Sequence, residues 1–456
     1  MPETRCVAVI DIGKTNAKVA LVDIEDQAEI AVRKRPNAVL HTGAYPHFDT
    51  EALWAFVLDA LRDLGATHRI DAVSVTTHGA TAALLDANGE LALPVLDYEH
   101  DGPDALDRAY NAIRPPFSES GSPRLPGGLN IGAQLFWQER SFPDQWDCVR
   151  QILTYAQYWS FRLTGVATTE ATSLGCHTDL WSPGTRNFSS LVDKLSWREL
   201  FAPVRAASDR LGAITAEVAE RTGLPAHTPV YCGIHDSNAS LLPHVLFREP
   251  PFSVISTGTW VVVMSMGGRA EGLDPGRDTL INVNALGEPV PSARFMGGRE
   301  NALLTDGLSE GWSEADVQAV LDGPILLLPS VQGGSGPFPD CNARWMPGKP
   351  DSAAEQRVAA AFYLALMTAT CLELTGANGP VIIEGPFASN RLFLEMLATA
   401  TGRPVIRQSG STGTSVGAAL LAGDWNALPS ATGETVQSRP EWRPYADAWR
   451  AAVAEG

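Results

Sequence analysis

The stretch that most constrains the fold is residues 7–23, VAVIDIGKTNAKVALVD. It reads as strand, tight turn, strand, because Val7, Val9, Val19, Leu21 and Val22 are β-formers around a polar tip of Asp11, Gly13, Lys14, Thr15 and Asn16. Gly13 permits a positive φ or a close backbone approach to a ligand. Such a turn aims several N–H groups at one point and makes an anion nest. Lys14 and Lys18 add positive charge, and Asp11 adds a carboxylate able to face a metal. Taken alone, the stretch is equally an ordinary hairpin with polar ends. Residues 253–267, SVISTGTWVVVMSMG, change this. A short β-run again enters a Gly/Thr turn and leaves through Val261, Val262 and Val263, about half a chain length later. One such unit per half predicts two similar lobes facing one ligand, with two hairpins gripping a polyphosphate.

The chain has 456 residues, enough for two or three domains with their own cores. A net charge of −18 argues against a nucleic acid or an anionic membrane as partner. Six cysteines are scattered without a C-x-x-C pair, which suggests neither zinc nor a redox site and fits a reducing, cytoplasmic compartment. The first residues run straight into a strand and leave no room for a signal peptide. No apolar run reads as approaching the ~18 residues that span a membrane.

Residues 49–64 predict a helix capped by Asp49 or Thr50, with apolar residues at helical spacing. Residues 72–77 predict a buried strand ending at His78-Gly79, and 83–85 and 94–96 further short strands. Strands alternating with helices make an α/β domain. Residues 101–130, rich in Pro, Ser and Gly, predict an irregular surface insertion. Helices are expected over 133–140, 148–164 and 354–375, and near 445–453. Residues 247–252, FREPPF, read as the linker between lobes, giving domains 1–246 and 247–456. A turn over 410–417 precedes another helix.

Neither a G-x-x-x-x-G-K-[ST] loop nor the HRD and DFG set of protein kinases is present, and no G-x-G-x-x-G supports a dinucleotide fold. Asp236 follows a strand and a Gly turn and precedes a helix, a position where Asp is by default an N-cap.

DIGKTNAK, GIHDSNAS, STGTW and EGPFASN, in this order and at these spacings, resemble the FGGY family of carbohydrate kinases over about residues 7–422. The resemblance implies an α/β, two-lobed fold like that of actin, hexokinase and the heat-shock ATPase, with the active site in the interlobe cleft. It implies ATP and Mg²⁺ as cofactors and a small sugar as partner. It makes Asp236 the general base that takes the proton from the sugar hydroxyl, and Asp11, with Asp236, the carboxylates facing the metal. Gly13, Lys14, Thr15 and Lys18 fall on the first phosphate hairpin, although Lys14 departs from the usual Thr or Ser. Gly258 and Thr259 resemble the second phosphate loop, and Gly298, Gly385 and Asn390 the other nucleotide contacts. On the sugar side the resemblance points to His78, Gly79, Asp97, Gln134 and His235. HDSNAS is similar to rhamnulose kinases, and the His-Gly at 78–79 to xylulose kinases. Expected substrates are therefore ketoses such as L-rhamnulose, L-fuculose or a pentulose. Glycerol or a tetrulose, or a non-catalytic nucleotide-binding regulator of the same fold, remain the alternatives. The sequence leaves the oligomeric state open, a homodimer included.

Overall fold

The computed structural model describes residues 4–309, 311–408, 413–423 and 433–455. The expected turn at 410 therefore lies partly outside the described residues. The chain divides into two compact units. The first comprises Met1–Phe247, Ile281–Pro289 and Thr412–Ser430, and the second Arg248–Leu280, Val290–Ser411 and Ala431–Gly456.

In the first unit, strands Cys6–Ile12 and Asn16–Asp23 form the antiparallel hairpin read from the sequence. Ala28–Pro36 extends it antiparallel, and Ala72–Thr77 pairs with the first strand in parallel. Pro229–Tyr231 and Arg210–Ala213 continue the sheet, and Ile234–His235 also pairs with Ala72–Thr77. The strand period of two sorts the side chains onto opposite faces. Ala8, Ile10, Ile12, Val19 and Leu21 pack with helices Thr50–Gly65 and Tyr155–Thr164. Val7, Val9, Ala20 and Val22 pack with helices Asp236–Phe247 and Thr414–Leu420. Both faces are thus covered by helices. The last helix is fixed there by Ser74 Oγ, which donates to Ala418 O at 2.7 Å.

The second unit repeats the arrangement. Phe252–Thr257 and Val261–Met266 form the antiparallel hairpin, Pro289–Phe295 lies antiparallel beside the second strand, and Val381–Glu384 pairs in parallel with the first. Val405–Gln408 and Gly433–Val436 complete one side of this sheet. Its core is organised by helix Ala353–Leu374 against Arg391–Thr401.

Four local expectations are corrected. Helix Ala353–Leu374 is long and apolar enough to cross a membrane by length and composition, contrary to the reading that no run qualifies. Its most apolar window is 78% buried, so here an all-round hydrophobic helix is a core helix. Residues 148–164 are not one helix: Gln151–Thr154 is a strand paired with Ala82–Leu85, and the helix starts at Tyr155. It ends as expected at Gly165, which takes the left-handed conformation with φ 76°. The strand expected over 94–96 lies earlier, at Leu91–Leu93, where Leu93 can pair with Leu84. The 101–130 segment is not a loose surface insertion. It carries short helical turns and is anchored on buried Asp179, which accepts from Arg114 Nε and Nη2 (2.9 and 2.8 Å), Tyr110 OH (2.8 Å) and Asn130 Nδ2 (3.0 Å). That partner is distant in sequence and gives no local signal.

Candidate active site

The sheet of the first unit ends in a cluster of chemistry-bearing side chains. Register alone sets this up, because Asp11 lies opposite Thr76, Ile12 opposite Thr77, and His235 opposite Thr77 from the other side. Asp11 and Asp236, far apart in sequence, therefore face one region, close enough for their carboxylates to repel. Burial, with that repulsion added, raises Asp11 to about 6 even though Lys18 opposes it. Lys18 Nζ sits between Asp11 Oδ2 (3.4 Å) and Glu29 Oε1 (2.9 Å).

Asp236 opens its helix, which starts one residue after the strand Ile234–His235. Its Oδ1 accepts from Ser237 N at 2.6 Å and lies 3.1 Å from His235 Nε2. Burial opposes its ionisation, but the His235 hydrogen bond and charge outweigh that and hold the carboxyl below its usual range. Asp236 is about a third exposed, whereas His235 is buried. The His235 ring lies against Gly79, where a Cβ would come within 2.7 Å of its Nε2 and Cδ2. Cys176 Sγ is 3.9 Å from Nε2, and Asn238 Nδ2 is 3.3 Å from Nδ1.

His78 is buried with both ring nitrogens lacking a protein partner. Phe48, Tyr98 and Tyr155 surround it, with ring centroids 5.2, 5.0 and 5.0 Å away. Burial drives its pKa down to about 4, so the imidazole is neutral and offers one donor and one acceptor. A buried polar ring without partners is costly unless a ligand or water completes it. Gln134 is committed to the backbone instead. Its Nε2 donates to Ala80 O at 2.6 Å and to Gly128 O, tying the 78–81 turn to the 127–130 loop.

Lys14 and Asp97, assigned from sequence to different ligands, are brought together as an ion pair. Thr15 and Asn16 form the exposed tip, and Gly13 N donates to Asn16 O at 2.9 Å. Gly13 does not use a positive φ. Its freedom serves the close turn, where a Cβ would lie 3.2 Å from Asn16 O.

In the second unit the expected nucleotide residues converge. Gly298 lies flat on the Gly258 turn: a Cβ there would be 1.8 Å from Gly258 O and 3.2 Å from Thr259 Cα. Gly385 takes φ 81°, with a would-be Cβ 2.1 Å from Thr257 O. Thr257 Oγ1 donates to Glu384 O at 2.5 Å and accepts from Phe387 N at 3.1 Å, locking the two strand ends together. Gly258 has an ordinary φ and open space around it. The Asn390 side chain is occupied as the N-cap of helix Arg391–Thr401, accepting from Phe393 N at 3.2 Å.

Sequence reasoning missed a buried chain behind Asp236. Glu170 accepts from Thr172 N (2.8 Å), Thr172 Oγ1 (2.5 Å) and Ser173 N (3.2 Å), and Thr172 Oγ1 accepts from His235 N at 3.1 Å. The only local signal was a Glu two residues before a Thr, which any helix start can show.

Among the described residues no three His, Cys, Asp or Glu side chains form a metal cluster. The donor set of Asp11 and Asp236 still fits Mg²⁺, which keeps several waters and needs only one or two carboxylates.

Two family models match the chain: the N-terminal domain of the FGGY family of carbohydrate kinases over residues 6–243, and the carbohydrate kinase FGGY C-terminal domain over residues 249–431. A carbohydrate kinase from Novosphingobium aromaticivorans is 36% identical, with a TM-score of 0.92 over 100% of this chain and 99% of that one. The ligand-bound xylulose kinase from Lactobacillus acidophilus shares the fold at 15% identity, with a TM-score of 0.80 over 99% of this chain and 97% of that one. L-fuculokinase from Salmonella typhi is 26% identical over 280 residues, which is 58% of this chain. The match spans 57% of that relative's length, little more than half.

Proposed function

Because the chain belongs to the FGGY family of carbohydrate kinases, we propose that it transfers the γ-phosphoryl group of ATP to a hydroxyl of a ketose such as L-rhamnulose, L-fuculose or a pentulose. The observation that carries this reading is the meeting of Asp236, a partly exposed carboxylate steadied by His235, with the unpartnered imidazole of His78 in one unit.

The sugar hydroxyl oxygen attacks the γ-phosphorus, the bond to the β–γ bridging oxygen breaks, and ADP leaves with that electron pair. Asp236 receives the hydroxyl proton. Its low pKa makes it a weak base, so its contribution is orientation and late proton acceptance in a loose transition state. His78 and Gly79 hold the sugar, with one imidazole nitrogen donating and the other accepting. Gln134 and His235 shape this side by fixing the 78–81 turn and the Asp236 carboxylate. On the nucleotide side, Gly258, Thr259 and Gly298 offer backbone to the phosphates, Gly385 lets backbone approach the nucleoside, and Asn390 fixes the helix that follows. Gly13, Thr15 and Lys18 serve the phosphates from the first hairpin. Asp11 and Asp236 would hold Mg²⁺, which neutralises phosphate charge when bound. Six unpaired cysteines suit a reducing cytoplasm.

ADP release measured across ketoses and polyols tests this. Turnover with a ketose supports the reading. Preference for glycerol or a tetrulose replaces the substrate class. ATP binding without ADP release from any acceptor replaces catalysis with a regulatory role.

A further inference from the structure

Lys14 stands at the tip of the first hairpin, where a phosphate would be the obvious partner for an ammonium. The structure turns it elsewhere. Its Nζ contacts Asp97 Oδ1 and lies 3.2 Å from Glu99 Oε2. It also sits over the rings of Phe48 and Tyr98, 5.3 and 5.0 Å from their centroids. The pair is enclosed, with side-chain exposures of 17% for Lys14 and 9% for Asp97. Asp97 is itself held, since its N donates to Pro46 O at 3.0 Å and its Oδ1 accepts from Glu99 N at 3.2 Å.

This pair belongs to the cluster around Asp236. Lys14 Nζ lies 5.0 Å from the Tyr98 ring centroid, that ring lies 5.0 Å from the His78 ring, and Gly79 beside His78 packs on His235, which lies 3.1 Å from Asp236. A sugar whose reacting hydroxyl lies at Asp236 and which bonds His78 therefore extends towards Asp97 and Glu99.

We propose that the Lys14–Asp97 pair is a specificity element that admits neutral sugars and polyols and turns away sugar acids. The inference rests on the reading of Asp236 as the base that receives the acceptor hydroxyl. Its warrant is the balance of charge. Lys14 faces two carboxylates, and Lys18 lies between Asp11 and Glu29. Each of these cations is matched or outnumbered. The carboxylate of an aldonate entering here meets Asp97 and Glu99 as like charges, or must strip Asp97 from an enclosed ammonium. Either route costs binding. A neutral polyol instead donates hydroxyl hydrogens to the same carboxylates and gains charge-assisted hydrogen bonds.

The test pairs acceptors of equal carbon number, D-glucitol with D-gluconate and xylitol with D-xylonate, beside the ketose panel. ADP release gives kcat/KM, and calorimetry without ATP gives binding. Wild type should prefer the neutral member by about 100-fold or more, the scale that discrimination by unpaired charge reaches. Asp97→Asn removes one of the two charges on Lys14 and should narrow that preference by about tenfold. Glu99→Gln, at a side chain 66% exposed where the fold is not at stake, should narrow it by about two- to threefold. Wild type taking acids as readily as neutral partners overturns the inference, as does a neutral-to-acid ratio unchanged in both variants. If no acceptor yields ADP, the kinase reading fails by itself. The calorimetric ratio, and its response to the two substitutions, then still decides the role of the pair.

Discussion

His235 Nε2 lies 3.1 Å from Asp236 Oδ1, and the same oxygen accepts from Ser237 N at 2.6 Å. Both contacts fall on Oδ1, so Oδ2 is the oxygen left to receive a proton from an acceptor. Asp236→Asn should lower kcat by about 100-fold or more while leaving the affinity for a non-hydrolysable ATP analogue, measured without Mg²⁺, nearly unchanged. Steady-state ADP release and calorimetry check this, and near-normal turnover would remove Asp236 from the role of base.

Two glycines of the second unit should respond differently. A Cβ on Gly258 meets nothing nearer than Trp260 O at 3.9 Å, whereas one on Gly298 would lie 1.8 Å from Gly258 O. Gly258→Val should therefore keep Tm within about 2 °C and weaken ATP binding by about tenfold or more, because the branched side chain obstructs only a ligand. Gly298→Ala forces backbone from backbone and should lower Tm and nucleotide affinity together. Thermal melts with ATP titrations separate the cases. A Gly258→Val protein that binds ATP normally would refute the phosphate-loop assignment.

Glu170 gives a pH signature. Burial raises its carboxyl from 4.5 to about 7, against the hydrogen bonds it accepts from Thr172 and Ser173. The folded state thus holds the proton more tightly than the unfolded chain. The stabilising contribution is complete below about pH 4.5 and is lost as pH rises through about 7, a change on the order of 3 kcal/mol. Urea unfolding of wild type and Glu170→Gln from pH 4.5 to 8 should show wild type losing that amount relative to the variant. A pH-independent difference would mean that Glu170 titrates in the folded protein as it does in the unfolded chain.

Phe362 in the long helix of the second unit is fully buried, with Trp442 and Tyr445 at centroid distances of 4.8 and 5.2 Å. Phe362→Ala should cost about 3–5 kcal/mol, because the rigid aromatic neighbours cannot collapse into the space. The loss is read as a lower urea midpoint with an unchanged slope, and a cost below 1 kcal/mol would show that the cluster repacks.

Alternation of Val, Ile and Ala around a Gly-centred polar tip was enough to locate both hairpins, because strand formation and tight turns are set by neighbours in sequence. The cap at Asp49 and the stop at Gly165 were legible for the same reason. The family, too, was legible in four short motifs. Tertiary structure decided what depends on partners far along the chain. Parallel register against Ala72–Thr77 brings Asp11 and His235 to one sheet end, and no local pattern encodes that register. Lys14 finds Asp97, Thr172 finds the His235 backbone, and Gly298 finds Gly258 only once the strands are assembled. Sequence by itself determined which segments could become strand, turn or helix, since those choices are paid in local conformational entropy and propensity. Charge pairing, burial and the pKa values that follow from them were decided by the folded packing, because they depend on distance and dielectric environment, which only the assembled chain defines.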